Sequence, residues 1–226
     1  MAELSNEKVY YEIRKKLLVA AAELFLTKGF KATKMRENEE KYNIERNDLI
    51  RIFGSKENIL ADLVKYVLEE QFRITKELLK GKTEDKTLYY ALETALQLHI
   101  VESSEHIREL YATAYSLPNT THIIQETLTS KLEELFKEYL PTYETVDFYM
   151  LEIATGGIMR GFITVPCNLW FTIDKKVKAF LETSLSLYKL PDKKIKEAID
   201  FVLQFDLNKI AQETIQAMLE TIEEKG

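Results

Sequence analysis

Arg46, Asn47 and Arg51 lie close together in the stretch NIERNDLIRIFGSKENIL, residues 43–60. They share the more polar side of a short run whose apolar side is Leu49, Ile50 and Phe53. Guanidinium and carboxamide groups offer paired donors and acceptors, which is the chemistry that reads base edges in a major groove ~12 Å wide. The other reading is that the three are solvated helix surface. Lys56 follows Ser55 at a helix start, where a cation opposes the helix dipole unless it meets an anion. A phosphate contact would account for it. Thr33 and Lys34 stand where a short helix opens, able to hold phosphate through hydroxyl, amide and ammonium groups, or to act as an ordinary cap.

Other chemistries find less support. His99 and His106 are seven apart with a helix break at Ser103-Ser104 between them, and with His122 they give no zinc-type spacing. A helix-surface or core-edge role suits them, and no metal or other cofactor is expected. Cys167, the only cysteine, sits in the apolar stretch VPCNLWF and reads as a structural thiol. No glycine-rich phosphate loop appears, so the chain is not expected to be an enzyme. Tyr89, Tyr111, Tyr115, Tyr149 and Trp170, with Tyr90 and Phe148, are amphipathic aromatics of the kind that line small-molecule pockets or fill cores.

The elements that must position these residues are helices. Only 7 glycines and 4 prolines occur in 226 residues, 46% of the chain is hydrophobic, and apolar residues recur at helical spacing between the prolines. Helices are predicted over 6–28, 34–41, 45–52, 56–80, 84–102, 104–116, 119–139, 143–164, 173–189, 192–204 and 206–224. Ser55, Thr172 and Asp206 take the N-cap positions. The fold class is all-α. With one cysteine, no signal segment and no apolar run of membrane-spanning length, a cytoplasmic protein with no membrane partner is expected. Residues 1–66 carry 13 Lys+Arg against 11 Asp+Glu and the remainder 18 against 26, within a net charge of −6. A mildly basic head on an acidic body fits nucleic-acid contact through the head alone.

Within that head, Arg14–Phe30 forms an amphipathic helix closed by Gly29. Two short helices then flank the turn Tyr42-Asn43-Ile44, the layout of a helix-turn-helix at about 34–53. The run A-A-E-L-F-x-x-K-G-F-x-A-T-x-M-R-E, residues 21–37, is followed without insertion by L-I-R-I-F-G-S-K-E-N-I-L, residues 49–60. Together they resemble the N-terminal domain of the TetR family of transcriptional regulators over roughly residues 10–66. The resemblance implies a three-helix DNA-binding domain at 8–66, joined by the long helix 56–80 to a helical effector-binding and dimerisation domain at 67–226. It also implies a homodimer on double-stranded, palindromic operator DNA, released as a repressor by a small-molecule effector.

The head departs from that pattern at Asn38, Glu39, Glu45 and Asp48. An unpaired polar group in an inter-helix seam costs ~1–3 kcal/mol, and carboxylates beside a phosphate backbone repel it. Weakened DNA affinity is therefore expected. The alternative is a TetR-like dimer whose degenerate head serves protein or ligand binding. In the body, ATGGIMRGF at 154–162 places adjacent glycines in a helix at ~1 kcal/mol each relative to alanine. Gly157 and Gly161, four apart, would admit a second helix at a dimer seam, or mark a kink.

Overall fold

The computed structural model describes residues 2–34 and 51–225, and every regular element among them is a helix. In chain order these are α1 (Ala2–Lys28), α2 (Lys56–Leu79), α3 (Lys86–Glu102), α4 (Glu105–Ala114), α5 (Pro118–Phe136), α6 (Thr145–Thr164), α7 (Ile173–Leu187), α8 (Asp192–Val202) and α9 (Leu207–Lys225). The spans expected from periodicity agree within four residues at each end. Most of the short helices expected at 34–41 and 45–52, with Asn38, Glu39, Glu45 and Asp48, lie outside the described residues.

The helix starts follow from local chemistry. The Ser55 hydroxyl accepts from Asn58 N–H at 3.3 Å, Thr172 from Lys175 N–H at 3.5 Å, and Asp206 Oδ1 from Lys209 N–H at 3.2 Å. Each satisfies an amide that the first helical turn leaves without a partner. At the other end of α1, Gly29 adopts φ +86°, and its N–H closes on the Phe25 carbonyl at 3.0 Å. A side chain there would also collide with α4, because an added Cβ would lie 2.4 Å from Glu109 Oε2. Gly29 thus both ends the helix and lets α4 come close.

The core is arranged around α3, which packs against α2, α4, α5, α7, α8 and α9. Every residue from Tyr90 to Val101 is buried. A helix enclosed on all sides is ordinarily apolar all round. This one turns Glu93, Thr94, Gln97 and His99 into the interior as well. A second core joins α1 to α2 through Leu17, Leu18, Phe25, Ile59, Leu60 and Val64, and Ile222 of α9 enters it. No helix among the described residues is long and apolar enough to cross a membrane.

Helix α6 is two-sided in an unexpected way. Its inner face buries Phe148, Glu152, Thr155, Met159 and Ile163, while Val146, Met150 and Ile153 are exposed on the other. Gly157 and Gly161 share that outer face, with open space where a Cβ would stand. Gly156 points elsewhere: a Cβ there would lie 3.0 Å from the Glu152 carboxylate.

Candidate functional site: a polar cavity behind the head

Specific contacts hold the head together and tie it to the body. Arg14 of α1 pairs with Asp62 of α2 at 2.6 Å and stands 5.6 Å from the Phe53 ring. Lys31 N–H donates to Glu109 Oε1 of α4 at 3.1 Å. Lys56 Nζ donates to the Phe30 carbonyl at 3.0 Å and the Thr33 carbonyl at 3.4 Å, over the Phe30 ring. This placement explains a cation at a helix start by another route than phosphate: it ties the end of α1 to the start of α2. Thr33 is buried, and its hydroxyl donates to the Gly29 carbonyl at 2.8 Å rather than facing outward. Lys34 and Arg51 are exposed, whereas Arg46 and Asn47 lie outside the described residues.

Behind this junction three small cavities run through the body. The first, about 40 Å³, lies among α2, α3, α5, α6 and α7 and carries the polar residues Glu93, Gln97, Glu152 and Thr155. The second, about 50 Å³, is walled by α2 and α4 through Leu63, Val67, Leu110 and Tyr111. The third, about 60 Å³, continues past Leu63, Val67 and Leu110 to Leu26 of α1 and Met218 of α9. Gln97 and Tyr115 border both of the first two, and Gln97 Nε2 donates to the Tyr115 hydroxyl at 2.9 Å. That hydrogen bond is the partition between a polar chamber and an apolar one.

Electrostatics set the first cavity apart. Gln71 Nε2 donates to Glu93 Oε1 at 2.7 Å. Burial nevertheless pushes the Glu93 carboxyl up to about 7, against the lowering influence of Gln71 and of Lys131. Glu152 is pushed up to about 8 by burial, with the Thr155 hydroxyl lowering and Glu93 raising it further. Thr155 Oγ1 lies 3.4 Å from Glu152 Oε2, while Glu152 Oε1 has no hydrogen-bond partner among the described residues. Such orphaned buried groups are uncommon and call for an explanation.

The cavity has a door. Phe72, Tyr89 and Lys131 line both the first cavity and an outer groove of about 580 Å³. Lys131 Nζ sits 4.9 Å from the Tyr89 ring centre and pairs with Glu134 at 2.9 Å.

Among the aromatics expected at a ligand, the structure brings Tyr89, Tyr111 and Tyr115 to these cavities. It places Tyr149 and Trp170 elsewhere. Tyr149 projects from the outer part of α6 with its hydroxyl 3.4 Å from Gln125 Oε1, and Trp170 is 85% exposed on the loop after α6. Neither lines the cavities, because the α6 register that buries Phe148 and Glu152 turns Tyr149 outward. Sequence reasoning missed Glu93, Gln97 and Glu152. The available signal was a carboxylate and an amide spaced i, i+4 within the apolar stretch LYYALETALQLHIV.

The histidines and the cysteine take ordinary positions. His99 Nδ1 meets Asn208 Oδ1 at 3.0 Å, and burial pulls its pKa down. His122 is exposed beside Glu126. Burial pushes the Cys167 thiol up, away from nucleophilic activation. Among the described residues no three metal-capable side chains come together.

Comparison with known proteins agrees with the head's sequence. The profile of bacterial regulatory proteins of the tetR family matches residues 17–63. No curated protein matches the chain. Among solved structures, a gamma-butyrolactone receptor (ArpA-like protein) superposes with a TM-score of 0.46 at 13% identity, over 91% of this chain and 98% of that one. The matched residues are the second half of α1, the start of α2 and what lies between them, so over residues 17–63 this chain is similar to the N-terminal head of the tetR family of bacterial regulatory proteins.

Proposed function

We propose that the protein is a cytoplasmic, dimeric, ligand-responsive regulator that binds double-stranded operator DNA through its head and releases it when the body takes up a small molecule. It is a repressor rather than an enzyme in this reading. Arg46, Asn47 and Arg51 approach base edges. Lys34 and the backbone amides beside Thr33 hold phosphate, while Lys56 ties the end of α1 to the start of α2 within the head. The observation that carries the reading is the sharing of walls: α2 and α4 line the second and third cavities, and the same two helices hold α1 through Asp62 and Glu109. Cavities of 40–60 Å³ are far smaller than the ~300 Å³ that a drug-sized ligand occupies. A ligand can enter only by separating their walls, which displaces the helices that grip the head. Its differential affinity for the opened form shifts the population away from DNA binding.

The outer face of α6 supplies the dimer seam. Val146, Met150, Ile153, Gly157 and Gly161 form one exposed apolar stripe, and the absence of side chains at the last two lets a second copy's α6 approach closely. Two heads held ~34–36 Å apart across that seam would read a palindrome. Tyr149 and Trp170 border this seam rather than a ligand.

Fluorescence anisotropy against duplexes tiled across the gene's own upstream region, at two salt concentrations, tests the reading. Selective, saturable binding that weakens with salt is expected, with Arg46→Ala and Asn47→Ala losing it. A folded dimer with no selective binding would instead leave a degenerate head in a protein- or ligand-binding module.

A further inference from the structure

We propose that the cavity recognises an amphipathic amine: a protonated ammonium head seated between Glu93 and Glu152, and an alkyl or aryl tail passing the Gln97–Tyr115 partition into the apolar chambers. This rests on the reading of the cavities as the effector site and names the effector's chemistry.

The argument begins with the orphaned oxygen. Glu152 is 3% exposed, lines the first cavity, and has an Oε1 that nothing among the described residues satisfies. Glu93 lines the same cavity, and its hydrogen bond from Gln71 occupies Oε1. Two buried carboxyl groups facing one small chamber cannot both ionise without a cation. Among the described residues none stands between them. Lys131, the cation lining this chamber, pairs outward with Glu134 at the door. A primary ammonium brings three donors and one positive charge, enough to satisfy Glu152 Oε1 and the second oxygen of Glu93 together. An anionic ligand would meet two carboxyl groups and no free cation, and a purely apolar one would leave the orphan in place.

The shape of the space sets the rest of the molecule. Beyond Gln97 and Tyr115 the wall is Leu63, Val64, Val67, Leu110 and Ile124. Swinging that hydrogen-bonded pair aside joins the polar chamber to the apolar ones in sequence. An elongated tail fits this path. Entry runs from the outer groove past Tyr89 and Lys131, where aromatic faces already hold one ammonium. Gly156 belongs to the same construction, since a Cβ there would press on Glu152 Oε1 at 3.0 Å.

Proton linkage gives the proposal a signature. The titratable groups around the chamber are Tyr89, Tyr90 and Glu93 on α3, Tyr111 on α4, Tyr115 at its end, Lys131 on α5, Glu152 on α6 and Tyr188 after α7. Burial holds Tyr89, Tyr90, Tyr111, Tyr115 and Tyr188 neutral, so near neutral pH the carboxyl groups are the proton donors. Ammonium binding ionises them and releases on the order of one proton per protomer at pH 7.

The test is calorimetric titration of the full-length protein with n-alkylamines from butylamine to decylamine, alongside the matched alcohols and carboxylates. Buffers of different ionisation enthalpy report the protons. The expected result is amine affinity at least about tenfold above that of the alcohol, rising with chain length, with proton release and no carboxylate binding. Glu152→Gln, which keeps the shape and removes the charge, should lower amine affinity by about tenfold or more and close the gap between amine and alcohol. Equal affinity for amine and alcohol, absent proton release, or full amine affinity in Glu152→Gln would each overturn it. The same amines added to an operator complex separate this proposal from the functional reading. Amine binding that leaves DNA affinity unchanged upholds the cavity's chemistry and removes its role as an effector switch.

Discussion

Glu102 and Glu152 are both partly or wholly enclosed glutamates on helices that line the same body, yet the protein treats them oppositely. Glu102 receives Lys176 Nζ at 2.6 Å, Arg108 at 3.0 Å and the Cys167 N–H at 3.1 Å. These partners outweigh its burial and hold its carboxyl below the usual range. Glu152 has one distant hydroxyl and an orphaned oxygen, and burial raises it. In the first cluster both carboxylate oxygens are engaged, joining α3, α4, α7 and the loop after α6, and the atom left over is the Arg108 Nε donor rather than an acceptor. The second is incomplete. A ligand site differs from a structural ion pair in that its polar groups converge without finding one another.

The sharpest way to break this comparison is to unpair the saturated side. Lys176→Met removes an ammonium with no exposed surface from Glu102 and should destabilise the fold by about 3–5 kcal/mol, read by denaturant unfolding. A loss below about 1 kcal/mol would show that Arg108 and the Cys167 amide suffice.

The opposite sign is expected at Glu152. A carboxyl raised in the folded state binds its proton more tightly there than in the unfolded chain. Stability is therefore complete below about 4.5, the ordinary glutamate value, and declines as pH rises through about 7 for Glu93 and about 8 for Glu152. Glu152→Gln should gain on the order of 2–4 kcal/mol at pH 8.5 and nothing at pH 4. A variant as pH-sensitive as the parent would place the titration elsewhere.

Gly156→Ala should come next, losing about 1–2 kcal/mol because the added methyl displaces the Glu152 carboxylate in a packed seam. Alanine at Gly157 and at Gly161, where the space is open, is the matched control and should raise monomer stability by up to about 1 kcal/mol each. Thermal melts of the three variants would separate the inward glycine from the outward pair. The smallest effect belongs to Trp170→Ala. At 85% exposure it should leave alkylamine affinity within about twofold of the parent, whereas Tyr115→Phe, which breaks the partition's hydrogen bond, should change it measurably by titration.

The sequence by itself determined the helices. Their periodicity, the caps at Ser55, Thr172 and Asp206 and the glycine stop at 29 are short-range matters, fixed by hydrogen-bonding and steric rules acting over four or five residues. The resemblance of residues 10–66 to the TetR head was legible for the same reason, since its landmarks are closely spaced along the chain. Only tertiary structure decided which aromatic residues meet a cavity, that Lys56 closes on Phe30 and Thr33, and that Gly156 faces Glu152 while Gly157 and Gly161 face outward. Above all it decided that Glu102 is completed by residues 65 and 74 positions away while Glu152 keeps one oxygen without a partner among the described residues. A carboxylate's proton affinity depends on what surrounds it in three dimensions, and the side chains that complete or abandon it come from helices whose order along the chain says nothing of their contact.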